Sequence, residues 1–233
     1  MVSNAQLVRG AFAAAFTAAA ALIAVSLIGA QDTHSTPPPA NTPSVVGARE
    51  TEAIFRGIPQ DGIVLGSPNA PVTVVEYADL QCPYCALWAH DALPQIVERY
   101  VRPGHVRIVF HGLAFIGPES ESALRAALAA GRQAKLWNLV HLLYANQGHE
   151  NAGWVTDDFL RQLGDAIRGF EPQAMLAGRS LPAAERAMAA AAAAAQRARI
   201  PGTPAFEVGP SGGTLERVDV GDLELRIEQL LDA

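Results

Sequence analysis

One stretch constrains this chain more than any other: Val72-Thr73-Val74-Val75-Glu76-Tyr77-Ala78-Asp79-Leu80-Gln81-Cys82-Pro83-Tyr84-Cys85. A β-branched run leads into a polar turn, and two cysteines then stand three apart where a helical pattern begins. They are the only two cysteines in the chain. A C-x-x-C beside a βαβ pattern reads as a redox motif. A thiol at a helix N-terminus feels the partial positive charge of unpaired backbone N–H groups, which favours thiolate. Thiolate is the nucleophile in disulfide exchange, so Cys82 is the expected attacking sulfur. Cys85, one turn further in, can close on Cys82 and release a mixed-disulfide partner.

Other uses of the pair fit less well. A structural zinc site needs four ligands, and the spacing of His90, His105 and His111 completes no common pattern. A c-type haem needs histidine directly after the second cysteine, where Ala86 stands. An inert bridge across so short a loop would stabilise little. No metal and no cofactor are therefore expected. A net charge of −6 gives no reason to expect nucleic acid as a partner.

The amino terminus carries a membrane or export signal. Residues 1–9 are polar, with Arg9 the single basic side chain, and residues 10–30 carry no charge. That run is close to the roughly 20 residues needed to cross a bilayer. A signal-peptidase cut after Ala30 would leave Ile28 at a position that favours a small residue, so an uncleaved anchor is the preferred reading over a cleaved signal. A soluble core helix is disfavoured because the run has no polar face. Arg9 would stay cytoplasmic and Asp32 would lead the chain out. The expected location is the cell membrane, single-pass, with the catalytic part outside the cytoplasm; cleavage would instead give a secreted or periplasmic protein. Residues 31–56 read as a linker, with Pro37-Pro38-Pro39 and Pro43 favouring extended, hydrated chain. Within it, Gly47 to Arg56 has the pattern of a short helix.

A chain of 233 residues, half of them apolar, suffices for one main domain, here 57–233. Ile63-Val64-Leu65 and Val72 to Tyr77 are strand candidates, the second apolar enough to be buried on both faces. Cys85, Trp88, Ala92, Ile96 and Tyr100 form a helical stripe that Pro94 should kink. Val106 to Phe110 is a third strand. Residues 118–199 show only helical periodicity, with Thr156 a good N-cap and an alanine-rich run whose Arg186, Arg197 and Arg199 mark a solvated face. After Pro201, Ala205–Val208 and Leu215–Val220 form a hairpin, and Asp222 caps a last helix. Trp88 and Trp137 read as core, and His141 and His149 as surface or satisfied core residues.

In this order the chain resembles the DsbA-like branch of the thioredoxin superfamily over about Ile63 to Leu231. The resemblance rests on Gly66-Ser67-Pro68-Asn69-Ala70-Pro71-Val72 before the central strand, on Cys82-Pro83-Tyr84-Cys85, on the helical block and on Gly202-Thr203-Pro204-Ala205-Phe206. It implies an α/β thioredoxin fold, βαβ followed by ββα, with a helical subdomain inserted at about 118–199. It also implies a thiol–disulfide oxidoreductase that donates a Cys82–Cys85 disulfide to reduced exported proteins and is reoxidised by a membrane oxidase of DsbB or VKOR type. Two alternatives stay open: a reductase or isomerase of the same fold, and a peptide-binding module without turnover.

The resemblance assigns roles residue by residue. Cys82 is the nucleophile and Cys85 the resolving thiol. Pro83 and Tyr84 lie beside the sulfur and set its poise; DsbA has a histidine where Tyr84 stands, so this chain lacks a cation there. Glu76 corresponds to a buried acid near the second cysteine, the alternative being an exposed carboxylate at a strand end. Pro204 would hold a cis bond after Thr203, and the backbone at Thr203 would pair with an extended substrate segment.

Overall fold

The computed structural model describes residues 45–233. The expected membrane segment at 10–30 and the Pro-rich stretch up to 44 lie outside the described residues. Among the described residues no helix is long and apolar enough to cross a membrane.

The centre of the molecule is β3 (Val72–Asp79), preceded by the short strands β1 (Gln60–Asp61) and β2 (Val64–Leu65). All eight residues of β3 are buried, as a β-branched run with few polar groups requires. It pairs in parallel with β4 (Val106–Leu113) and antiparallel with β5 (Ala205–Pro210). The six-stranded mixed sheet has the order β1-β2-β4-β3-β5-β6, with β6 at Glu216–Val218. The sequence shows only one strand at 63–65. The structure places a hairpin there, turned at Gly62 and Ile63, with Ile63 outside both strands. Strands of two residues are too short for any period to register.

The two sheet faces are covered differently. Successive side chains alternate between faces, so Val72, Val74 and Ala78 enter the main core with Ile108, Phe110, Phe206 and Val208. Val75 and Tyr77 point the other way, with Ala205, and meet Ala194, Ala195 and Ala198. Those alanines belong to the end of the alanine-rich helix (Pro182–Arg197) and its cap, whose Arg186, Arg197 and Arg199 are exposed.

The helix after β3, here α2 (Pro83–Asp91), follows α1 (Ala48–Phe55) in chain order. It stops before Pro94, and the chain resumes as α3 (Leu93–Ile96) and a π-helical turn, Val97–Val101. Proline lacks the N–H that would have continued the ladder. Between β4 and β5 lie only helices: α4 (Pro118–Gly131), α5 (Leu136–Ala145), α6 (Asp157–Asp165), α7 (Pro172–Gly178) and α8 (Pro182–Arg197). Thr156 caps α6, its hydroxyl accepting from Phe159 N at 3.1 Å.

Two expectations are corrected. Helix α1 falls inside the stretch assigned to the linker, yet it packs on α5 and buries Thr51 and Phe55, which share a face at i and i+4. Its Thr51 hydroxyl bonds His141 Nδ1 at 2.8 Å, which makes His141 a partnered core residue, while His149 is exposed. The second correction concerns Asp222, whose side chain caps nothing. The chain enters the last helix, α9 (Leu223–Leu231), through a 3-10 turn at Val220–Asp222, so Asp222 already has helical backbone.

Candidate active site

The C-terminal end of β3 delivers the motif. Cys82 is the N-cap of α2 in extended conformation, and Pro83 opens the helix where a missing N–H costs nothing. The Cys82 carbonyl accepts from Ala86 N at 3.2 Å, closing the first turn and bringing Cys85 round beneath Cys82. Both cysteines are reduced. Cys82 is 6% exposed and Cys85 is wholly buried.

From the other end of the domain, the loop before β5 brings Thr203 and Pro204 over the sulfur. The Cys82 Sγ–H donates to the Thr203 carbonyl at 3.3 Å, and the peptide bond between Thr203 and Pro204 is cis. The Thr203 hydroxyl is buried without a hydrogen-bond partner of its own.

The two sulfurs are driven apart electrostatically. Cys82 is lowered from 9.0 to about 6, first by the hydrogen bond from Cys85, with further help from Thr203 and the backbone N–H groups of Cys85 and Tyr84. Burial acts in the opposite direction and is outweighed. Cys85 moves well above the ordinary thiol range, chiefly through burial and then through Cys82. The surroundings thus favour thiolate at Cys82 and thiol at Cys85, and the Sγ–H bond to Thr203 belongs to the protonated form of Cys82.

Glu76 is not the exposed strand-end carboxylate of the alternative reading. It is 1% exposed, on the β3 face that carries Val72, Val74 and Ala78. One of its oxygens has no hydrogen-bond partner, and burial pushes the carboxyl up to about 8. Trp88 and Trp137 are both buried; Trp88 lies 4.7 Å from Phe206, centroid to centroid, and Trp137 is edge-on to Phe110.

Residues that sequence reasoning passed over surround this pair. Asp79 is fully buried, with Oδ1 accepting from Gln81 N and Ser120 Oγ, and Oδ2 from the backbone N–H groups of Phe115 and Ile116. Gln147 Nε2 donates to the carbonyls of Leu80 at 3.0 Å and Cys82 at 3.3 Å. Tyr144 donates to the Asp79 carbonyl, and its phenol is held far above its ordinary value, first by burial and then by Cys85, Glu76, Asp79 and Cys82. The polar pair Asp79 and Gln81 in an otherwise apolar strand end is the one sequence signal that could have flagged this. Their partners lie in the helical segment and leave no pattern.

Outside the sulfur lies an apolar groove of about 410 Å³, lined by Tyr84, Leu87, Trp88, Asp91, Thr203 and Val220 among others. Tyr84 is 70% exposed and Leu87 57%. Pro83, beside them, is also exposed. Among the described residues no group of three or more histidines, cysteines or carboxylates could hold a metal ion.

This geometry agrees with what the chain is similar to. A family model described as thioredoxin matches residues 59–211. The probable disulfide bond formation protein D of Bacillus cereus is 37% identical over 98 residues, covering 41% of this chain and 45% of that protein. The chain thus matches less than half the length of this curated relative. The structure of oxidised BdbD from Bacillus subtilis superposes with a TM-score of 0.65 at 24% identity, over 76% of this chain and 97% of that one. A thioredoxin-like oxidoreductase from Silicibacter pomeroyi gives a TM-score of 0.56 at 28% identity, over 78% of this chain and 98% of that one. The chain belongs to the thioredoxin family.

Proposed function

We propose that this protein is a thiol–disulfide oxidoreductase that donates a Cys82–Cys85 disulfide to reduced proteins outside the cytoplasm. The observation that carries the reading is the pairing of Cys82, lowered at the head of α2 by the Cys85 thiol and the N–H groups of Cys85 and Tyr84, with a buried, thiol-prone Cys85. A low-pKa sulfur is a good leaving group, so a disulfide through Cys82 passes readily to a client.

The steps balance as follows. A client thiolate attacks Cys82 Sγ, the Cys82–Cys85 bond breaks, and Cys85 leaves with the electron pair. Its thiolate is disfavoured by burial and takes a proton. Glu76, protonated at pH 7, is the proposed source of that proton. A second client thiolate then attacks the client sulfur of the mixed disulfide and releases Cys82 as thiolate. One client disulfide forms and one protein disulfide is reduced to a thiol and a thiolate. The groove at Tyr84, Leu87 and Val220 would take the client's apolar side chains, with its backbone along Thr203. Regeneration calls for a membrane oxidase of DsbB or VKOR type, and the anchor at 10–30 would hold the domain beside it.

The reduction potential tests this. Lowering of the Cys82 thiol stabilises the reduced form as thiolate and so favours an oxidising couple. Equilibration with glutathione should give a potential on the oxidising side of thioredoxin's about −270 mV, towards DsbA's about −120 mV. A value at thioredoxin's level would support a reductase instead, and no two-electron couple would leave a peptide-binding module. Location is tested separately: alkaline phosphatase fused after residue 50 should be active, and an inactive fusion would place the domain in the cytoplasm.

A further inference from the structure

Three chain segments far apart in sequence meet immediately behind Cys82. Gln81, 1% exposed, directs Nε2 to Ser120 Oγ at 3.0 Å and to Asn151 Oδ1 at 3.2 Å, while its Oε1 accepts from Asn151 N at 2.8 Å. Asn151 in turn donates from Nδ2 to the Ile116 carbonyl at 3.1 Å. It holds the left-handed conformation, φ 55°, that asparagine tolerates better than most residues. Gly117 completes the contact, because a Cβ there would lie 1.9 Å from Asn151 Oδ1. A Cβ at 117 would displace the Asn151 side-chain amide from Gln81 Nε2.

The clasp is therefore a buried amide with every donor and acceptor engaged, one residue before the attacking sulfur. Gln81 N is also fixed by Asp79 Oδ1, and Cys82 N by the Asp79 carbonyl at 3.0 Å. The main chain entering Cys82 is thus held on both the strand side and the helical side. We propose that Gln81 is a positioning residue for the reacting sulfur: through Asn151 and Gly117, the helical segment between β4 and β5 holds Cys82 at the head of α2, aimed at Thr203. The inference rests on the reading of Cys82 as the attacking thiolate. The N–H groups and thiol that favour its charge act over hydrogen-bond distances and are lost by small displacements. A loosened clasp should raise the pH at which Cys82 ionises.

The test uses Gln81→Leu, which removes all three bonds at similar volume without altering charge. The reduced protein is reacted with iodoacetamide from pH 4 to 10, and adducts at Cys82 are quantified by mass spectrometry. The expected result is an upward shift of the Cys82 midpoint by about half a pH unit or more, a loss of about threefold in rate at pH 5. The rates should converge above pH 9, where both proteins are ionised. Gly117→Ala, which displaces the Asn151 side chain but leaves Asn151 N on Gln81 Oε1, should shift the midpoint in the same direction by less, and the double variant should shift no further than Gln81→Leu alone. Asn151→Gly, which keeps the backbone bond to Gln81 Oε1, should give a smaller shift and serves if Gln81→Leu does not fold. Variants that lose stability but keep the wild-type midpoint would overturn the positioning role. A wild-type midpoint near 9 would instead overturn the thiolate reading itself.

Discussion

Glu76 offers a quantitative check on the buried site. Its carboxyl rises from 4.5 to about 8 because burial removes it from water and one of its oxygens gains no partner. Each tenfold change in proton affinity is worth about 1.4 kcal/mol, so the full span corresponds to about 4–5 kcal/mol. The sign follows from proton linkage. Below pH 4.5 the carboxyl is protonated in folded and unfolded chains alike and contributes no pH dependence. Between 4.5 and about 8 the unfolded chain releases the proton while the folded chain keeps it, so stability falls as pH rises. Above about 8 the difference is constant. Replacing Glu76 by Gln removes this ionisation. The variant carries a buried-amide cost of about 1–3 kcal/mol at every pH, so the absolute stabilities are less informative than their difference. Guanidinium unfolding of the reduced proteins at intervals from pH 4.5 to 8.5 should show wild type losing about 4 kcal/mol relative to Glu76→Gln, about 3 of it by pH 7. Parallel curves across that range would refute the claim that Glu76 is neutral in the fold, and with it the proton supply to Cys85.

The remaining predictions concern the sulfur and the core behind it. Thr203→Val removes a buried hydroxyl that has no hydrogen-bond partner, so thermal unfolding should show stability unchanged within about 1 kcal/mol or raised; a loss well above that would show the hydroxyl to be bonded in the fold. The lowered Cys82 value makes stability contributed by its thiolate fully present above pH 9 and lost as pH falls through about 6, so reduced Cys82→Ser should match wild type at pH 5 and fall behind it at pH 8 in denaturant melts. Phe206→Ala empties a fully buried site against Trp88 and should cost about 3–5 kcal/mol, with a loss well below 2 showing that the core collapses around it.

How much of this could be read in the chain differs by element. The β-branched run before Cys82 declared a buried central strand because its pattern is strong and local. The helical segment was equally legible, since five helices with no competing strand leave one periodicity. The β1–β2 hairpin was not, because two residues per strand carry no period. Asp222 looked like a cap from its type and position, but a 3-10 turn placed helical backbone where a cap needs extended chain. Cys82, Cys85, Thr203 and Pro204, which motifs of fixed spacing pick out, are brought together by the fold. Asp79, Gln81, Tyr144, Gln147 and Asn151 were missed because their meaning lies in partners 35 to 70 residues away.

The reach of Cys82 to Thr203 has a consequence for the newly made chain. Those residues are 121 positions apart, and the whole helical segment must be made and folded before the loop at 203 can close over the sulfur. Contacts of such separation form late, because loop-closure entropy must be met first. During synthesis both cysteines are present long before the residue that completes their environment. The group that lowers Cys82 most, the Cys85 thiol, and the N–H groups of Cys85 and Tyr84 are its neighbours in sequence and need no such closure. The Thr203 side of the site is therefore the last part of it to be assembled, after the sulfur pair and the helix that bears it.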